Sequence, residues 1–345
     1  MSSYGGERDE PNAETLVAYR SHVGRVRAAN EDNGGSFRRA DGARLLVVAD
    51  GMGGHRGGAT ASREALATIA DAFEAGSAAG TADPADALRR AIERANDHIH
   101  EKATADPGLA GMGTTVVVFL LDASGRGTVA HVGDSRAYRL RDRRLEALTT
   151  DHSVVAEMLR RGALTAEEAA YHPRRNEILR SVGVLENVDV EVGEVALAAG
   201  DWILLCSDGL CGVVSDAEIE EVLVAALAAP QPLERAAEAL VDLANECGGP
   251  DNVTVALLAL PPDWQARGDA RGGLSATLPE AQDRAAEAVP AEEREARPRA
   301  REILAARNRE RQEAFARPLG AIGTGLRIVA IVLFAVLAWL LWQSR

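Results

Sequence analysis

The sequence predicts an α+β fold in which two packed β-sheets are covered by helices. Runs rich in Val, Ile and Leu, bounded by Gly and Asp, read as strands and occur in both halves of the chain. Segments of helical spacing lie between them without regular β-α-β alternation, so strands from the two halves must meet in sheets rather than form a doubly wound core. At 345 residues the chain is long enough for one large domain and an appendage.

Taken in order, residues 1–12 are polar and Gly-rich, and are expected to be disordered. A globular domain is expected over 13–261. It opens with TLVAYRSHVGRVRAANED, which alternates like a strand. LLVVAD (45–50) is a continuous apolar run ending in a turn, as a strand buried on both faces should be. Residues 60–73 have helical spacing. So do 84–102, where Ala87, Leu88, Ala91, Ile92, Ala95 and Ile99 form one face. GTTVVVFLLD, GTVAHVGDSRAYRLR and DWILLCSDG are further strand runs. Residues 151–162 read as a short helix closed by Gly162, and Thr165 with Glu168 form a capping box opening another. The insertion 151–180 falls between acidic motifs, and a mobile flap is the expectation. Helical segments 216–229 and 232–247 precede the final strand, NVTVALLAL.

Residues 262–318 change to Ala, Arg, Glu, Gly and Pro, the composition of a linker, with a charged helix expected around 292–316. Residues 328–342 are apolar for 15 positions, roughly 22 Å as a helix. Extending back to Leu319 gives 24 residues, enough for a hydrocarbon core of about 30 Å, with Arg327 snorkelling and Trp339 and Trp342 at an interface. The expectation is a single-pass C-terminal transmembrane anchor over 319–342. The arginines at 301, 307, 309, 311, 317 and 327 would keep the globular domain on the cytoplasmic side.

The net charge of −14 is unevenly placed: from Asp263 onward 13 Arg face 11 Asp and Glu, so the preceding part carries −16. An acidic globular part excludes nucleic acid as the main ligand and supplies carboxylates for cations. Three cysteines, Cys206, Cys211 and Cys247, form no C-x-x-C pair and no disulfide framework, and no apolar signal segment follows Met1.

Four aspartates lie in four short Gly-containing motifs: Asp50 in VVADGMGGH, Asp134 in AHVGDSRAY, Asp208 in ILLCSDGL and Asp251 in GGPDNVTV. An acid at the mouth of a buried strand is held rigidly, and a neighbouring glycine lets backbone approach whatever the carboxylate grips. Any one Asp-Gly is an ordinary turn signal. Together, without a His or Cys cluster, they fit hard divalent cations, which take oxygen ligands.

With RVRAANED, VVADGMGGHRGG, GMGTT, HVGDSRAY, TTDHS, LLCSDGL and GGPDNVT in this order over about residues 21–260, the chain resembles the bacterial metal-dependent (PPM-type) serine/threonine protein phosphatases. The resemblance implies two antiparallel sheets between helical layers, a four-layer αββα sandwich. It implies Mn2+ or Mg2+, two ions with a weaker third. Asp50 would bridge two ions, the Gly51 carbonyl, Asp208 and Asp251 would complete the ligands, and Asp134 would serve the third. Glu31 and Asp32 would hold metal-bound waters, and Arg27 the substrate phosphate. Met52 stands where several members have a histidine acid, so that role is vacant; His55, three residues on and common in bacterial members, is either the acid or a residue that only shapes the loop. Two cations roughly 3.5–4 Å apart can activate a shared water to attack phosphorus without a nucleophilic side chain. The implied activity is hydrolysis of phosphoserine and phosphothreonine on proteins, opposing a bacterial Ser/Thr kinase. Two rivals stand beside it: a phosphatase of an anti-sigma-factor antagonist, and a tethered pseudophosphatase acting as a binding module.

Overall fold

The computed structural model describes residues 16–264, except 54–55, 77–82, 166–167 and 170. In chain order the first elements are β1 (Leu16–His22), β2 (Asn33–Arg38), β3 (Arg44–Ala49), β4 (Gly51–Met52), α1 (Gly57–Ala75) and α2 (Pro84–Ala105). Then come β5 (Gly113–Thr114), β6 (Val116–Leu121), β7 (Gly127–Val132), β8 (Arg136–Arg141), β9 (Arg144–Ala147) and α3 (Val154–Arg160). The last are β10 (Glu191–Val195), β11 (Trp202–Cys206), α4 (Asp208–Cys211), α5 (Asp216–Ala226), α6 (Pro232–Glu246) and β12 (Val253–Ala259).

One antiparallel sheet has the order β1-β12-β11-β8-β9 and the other β10-β7-β6-β3-β2. Alternation along each strand explains the layering. Leu45, Val47 and Ala49 of β3 pack against Ile69 and Phe73 of α1 and Ile92 and Ile99 of α2. Leu46 and Val48 point the other way, into a core shared with Ile203, Leu205 and Leu258 of the opposite sheet. On that sheet's outer face Leu204, Val255 and Leu257 meet Leu223 of α5 and Leu233 and Leu240 of α6. A strand covered on both faces favours apolar residues at successive positions, which is why β6 and β11 are apolar throughout and β3 is apolar from Leu45 to Ala49. Helix starts follow local chemistry. Pro84 sits in the first turn of α2. Ser215 and Glu218 exchange capping-box hydrogen bonds at the start of α5.

Several expectations shift. The alternating segment after residue 13 is strand only to His22. Residues 23–32 are a loop tied to the turn before β12, with Arg25 N–H donating to Gly249 O at 2.8 Å. Arg25 and Arg27 therefore lie on no strand face. GTVAHVGDSRAYRLR divides at Gly133 and Asp134 into β7 and β8, which belong to different sheets. Strands β2, β9 and β10 lack the apolar signal because they are half-exposed and sit at sheet edges.

The expected transmembrane helix is corrected. Among the described residues no helix is long and apolar enough to cross a membrane. The long ones, α1 and α2, carry Arg63, Glu64, Asp71, Arg90, Glu93 and Arg94, so each has one apolar stripe suited to a sheet and not to lipid. Residues 319–342, like 1–12 and all of the 262–318 linker after residue 264, lie outside the described residues. The membrane location expected from them is not carried further.

Gly209 fixes the end of the sandwich. A Cβ there would sit 1.8 Å from the Asn252 carbonyl oxygen, so the turn after β11 and the turn before β12 press together backbone to backbone. Overpacking of this kind costs about 1–3 kcal/mol or more, and at roughly 2–4 °C per kcal/mol for a domain of this size Gly209→Ala is expected to lower Tm by about 5–10 °C. Thermal unfolding followed by circular dichroism checks this; an unchanged Tm would show that the two turns can separate freely.

Candidate active site

Five acids gather at one end of the sandwich because the strands bearing them terminate there. Asp50 follows β3, Asp134 lies between β7 and β8, Asp208 follows β11, Asp251 precedes β12, and Asp32 precedes β2. The register confirms the common end: Cys206 of β11 pairs with Arg136 of β8 and Val255 of β12, while Val116 of β6 pairs with Val132 of β7.

Each acid is held by its neighbours. Asp50 is fixed through its backbone: its N–H donates to Thr115 Oγ1 at 3.2 Å, and its carbonyl accepts from Thr115 N–H and Thr114 Oγ1, both at 2.8 Å. Thr115 Oγ1 in turn meets Ser135 Oγ at 2.7 Å, beside Asp134. Asp32 Oδ2 accepts from Ser207 Oγ at 2.8 Å. Asn252 organises the loop carrying Arg27 and Glu31. Its amide donates to the carbonyls of Val23 and Ala29 at 2.9 Å, and its Oδ1 accepts the Glu31 N–H at 2.7 Å. Gly51 is packed so closely that a Cβ there would meet Gly58 O at 2.3 Å and Glu31 O at 2.6 Å. Arg27 Nη2 donates to Asp251 Oδ2 at 2.6 Å, with its side chain 53% exposed at the rim.

The electrostatics of this cluster are unfavourable as it stands. Burial, with Asp208 and Asp251 nearby, pushes Asp32 up to about 7 despite the hydrogen bonds it accepts. Burial and the charges of Asp208 and Asp151 push Asp134 up to about 7. Asp50 is driven well above the carboxylate range by burial and then by Asp32 and Asp208. Asp208 is raised by burial, offset by its hydrogen bond with Asp50. Like charges so close cannot all ionise without a counter-charge.

Residues 20–252 match the family model described as Protein phosphatase 2C. That match covers well over half of the chain. The chain belongs to this family, and it is a metal-dependent hydrolase. The serine/threonine phosphatase stp of Listeria monocytogenes is 42% identical over 241 residues, which are 70% of this chain and 94% of that protein. The crystal structure of the Mycobacterium tuberculosis serine/threonine phosphatase PstP/Ppp matches with a TM-score of 0.64 and 38% identity, covering 72% of this chain and 99% of that one. The catalytic domain of PstP in complex with two manganese ions matches with a TM-score of 0.61 and 37% identity, covering 72% and 98%.

The residues of this protein phosphatase 2C site fit a divalent cation. Asp32 Oδ1, Asp134 Oδ1 and Asp208 Oδ1 are buried oxygens without a hydrogen-bond partner. Hard oxygen donors of net negative charge, short of partners, are what Mn2+ or Mg2+ takes. A second cluster fits a metal poorly. His131, His152 and Glu191 lie close enough to share an ion. However, His152 Nδ1 accepts the Gly133 N–H at 3.2 Å, so its proton sits on Nε2, facing Glu191 Oε2 at 3.2 Å. The Arg180 guanidinium stands 3.3 Å from that same nitrogen. His131 stacks on His152 and meets the Thr150 carbonyl at 2.9 Å. These imidazoles tie the root of the 151–180 insertion to the Asp134 turn.

Sequence reasoning singled out the acids, Gly51 and Arg27, and the fold gathers them. His55 lies outside the described residues. Thr114, Thr115, Ser135 and Ser207 were missed as individual residues. Their signal was a hydroxyl residue interrupting an apolar run at the strand end where an acid also falls.

Proposed function

We propose that this site removes phosphate from phosphoserine and phosphothreonine side chains using two divalent cations, with a third, more weakly held ion at Asp134. The enzyme is a protein serine/threonine phosphatase by the activity its relatives share. In this reading Asp50, the Gly51 carbonyl, Asp208 and Asp251 hold the two ions. The observation that supports it most is the set of partnerless buried oxygens on Asp32, Asp134 and Asp208, crowded around Asp50. Bound cations would supply Lewis acidity and lower the pKa of a water molecule towards neutrality.

The chain's own groups do the rest. Glu31 and Asp32 sit on one loop, set by Asn252 and Ser207, and would accept hydrogen bonds from metal-bound waters. Arg27 stands at the rim, already half-exposed on Asp251, and turns its remaining N–H donors to the equatorial phosphate oxygens of the substrate. Its planar fork favours a dianionic phosphate over a neutral ester. A serine/threonine kinase acting on the same proteins would be the opposing partner. The intact set of acids gives a binding-only role no support.

Phosphate release from phosphoserine and phosphothreonine peptides, with and without Mn2+, tests the reading. Release is expected only with the metal. Arg27→Ala is expected to reduce kcat/KM by roughly 10- to 100-fold, about 1.4–2.8 kcal/mol for a lost charge-assisted contact, while calorimetric Mn2+ affinity does not weaken. Metal-independent release would defeat the cation assignment, and unchanged kinetics in Arg27→Ala would return that residue to the ordinary surface.

A further inference from the structure

Beside the acidic pocket stands a loop whose backbone is fixed and whose side chains are left bare. Val182 pairs with Thr114 by two backbone hydrogen bonds of 3.0 and 2.9 Å. This places it next to the short two-stranded sheet in which Gly51 pairs with Thr114 and Met52 with Gly113. The buried Asn96 of α2 then spends its whole amide on the next residues. Its Oδ1 accepts the Gly183 N–H at 2.7 Å, and its Nδ2 donates to the carbonyls of Leu185 and Glu186, both at 3.0 Å. A buried polar side chain committed in this way makes the loop rigid. Yet Leu185 is 67% exposed and Val184 39% exposed. Val184 and Met52 converge over Gly113, where an added Cβ would lie 2.6 Å from Val184 Cγ2 and 3.1 Å from Met52 Cε. Met52 directly follows Gly51, so the apolar ledge begins one residue from the acidic pocket.

We infer that Val184 and Leu185 form a specificity ledge that receives an apolar side chain of the phosphoprotein, a few residues from the phosphorylated Ser or Thr. The inference rests on the phosphopeptide-hydrolysing reading of the pocket. Two strand spacings of about 4.8 Å separate the Gly51 strand from the Val182 segment. An extended peptide covers that distance, roughly 10 Å, in about three residues. A second copy of the chain is a poor occupant, because a stable dimer buries about 800 Å² per partner and two or three side chains supply far less. A pre-fixed ledge anchors one side chain at little cost in ordering.

The test uses the full chain loaded with Mn2+. Phosphothreonine peptides of one sequence carry either Leu or Ser at each position from about three before to three after the phosphorylated residue, and p-nitrophenyl phosphate serves as the small substrate. Wild type is expected to favour Leu on one side by roughly 10-fold in kcat/KM, the value of one apolar contact of this size. Leu185→Ser is expected to abolish that preference and to leave p-nitrophenyl phosphate turnover and Tm unchanged. Val184→Ser is the second variant, should the first disturb the loop. No preference in wild type, or a preference surviving both substitutions, overturns the ledge. So does a change in oligomeric state by gel filtration with selectivity intact, which would make it a contact between copies. Failure of wild type to release phosphate from any peptide strikes the underlying reading instead, and is thereby distinguishable.

Discussion

Asp50→Asn is expected to reduce Mn2+-dependent hydrolysis of p-nitrophenyl phosphate by on the order of 10³-fold or more, the loss being of transition-state stabilisation and not of fold. Asp50 is driven well towards its neutral form, by burial and then by Asp32 and Asp208. An amide has nearly the shape of a protonated carboxyl, so the metal-free variant keeps the geometry that the metal-free wild type already adopts. The backbone contacts that fix the residue, from Thr114 and Thr115, do not involve its side chain. Tm without metal should therefore match or exceed that of wild type, whereas Mn2+ should no longer raise it. Near wild-type turnover at saturating Mn2+ would remove Asp50 from the metal-holding set. A collapsed Tm without metal would mean that the carboxylate has a structural task the geometry does not reveal.

The acids were legible in the sequence for a physical reason. A strand buried on both faces must be apolar throughout, so an acid at its mouth stands out against LLVVA or WILLC. Asp50 and Asp208 are the plainest cases. The two-sheet arrangement followed from the same runs. The supporting hydroxyls were harder, because their work lies in contacts distant in sequence: Thr115 Oγ1 links the Asp50 N–H to Ser135 Oγ, Ser207 Oγ links Asp32 to the Thr254 N–H, and a Thr or Ser at the end of an apolar run is only a weak local signal. Edge strands β2 and β10 escaped because their exposed faces admit Gly, Glu and Ser. Arg27 falls in a segment whose alternation reads as strand, yet it stands on a loop tied down by Asn252, a long-range contact between residues more than two hundred positions apart. The C-terminal apolar stretch prompted a membrane helix that no described helix supplies.

Without metal, the protein is expected to lose stability as pH rises from about 5.5 to 8, and Mn2+ is expected to restore more of it the higher the pH. The sign follows from where the protons sit. Asp32 and Asp134 titrate near 7 in the folded protein, against about 3.9 in the unfolded chain. Asp50 and Asp208 are raised as well. Between these values the folded state binds more protons than the unfolded one, so this contribution is complete below about pH 4 and fades as pH climbs through 7. Carboxylates held low by partners, such as Asp41 beside Arg39 and Asp122 beside Ser124 and Arg126, act in the opposite sense. Their contribution is lost only in acid, below the window tested. Cations need the site deprotonated, so Mn2+ competes with protons in mild acid and finds a vacant, repulsive cluster of carboxylates in mild base. At a concentration one hundred times Kd, a ligand of the folded state adds about 2.7 kcal/mol, and at roughly 2–4 °C per kcal/mol the gain in Tm near pH 8 should be about 5–10 °C, shrinking towards pH 5.5. Melting curves in a chelator and in Mn2+ across that range measure both slopes. A metal-free Tm that rises with pH, or a Mn2+ gain independent of pH, would mean that the crowded carboxylates are neutralised by something other than a bound cation.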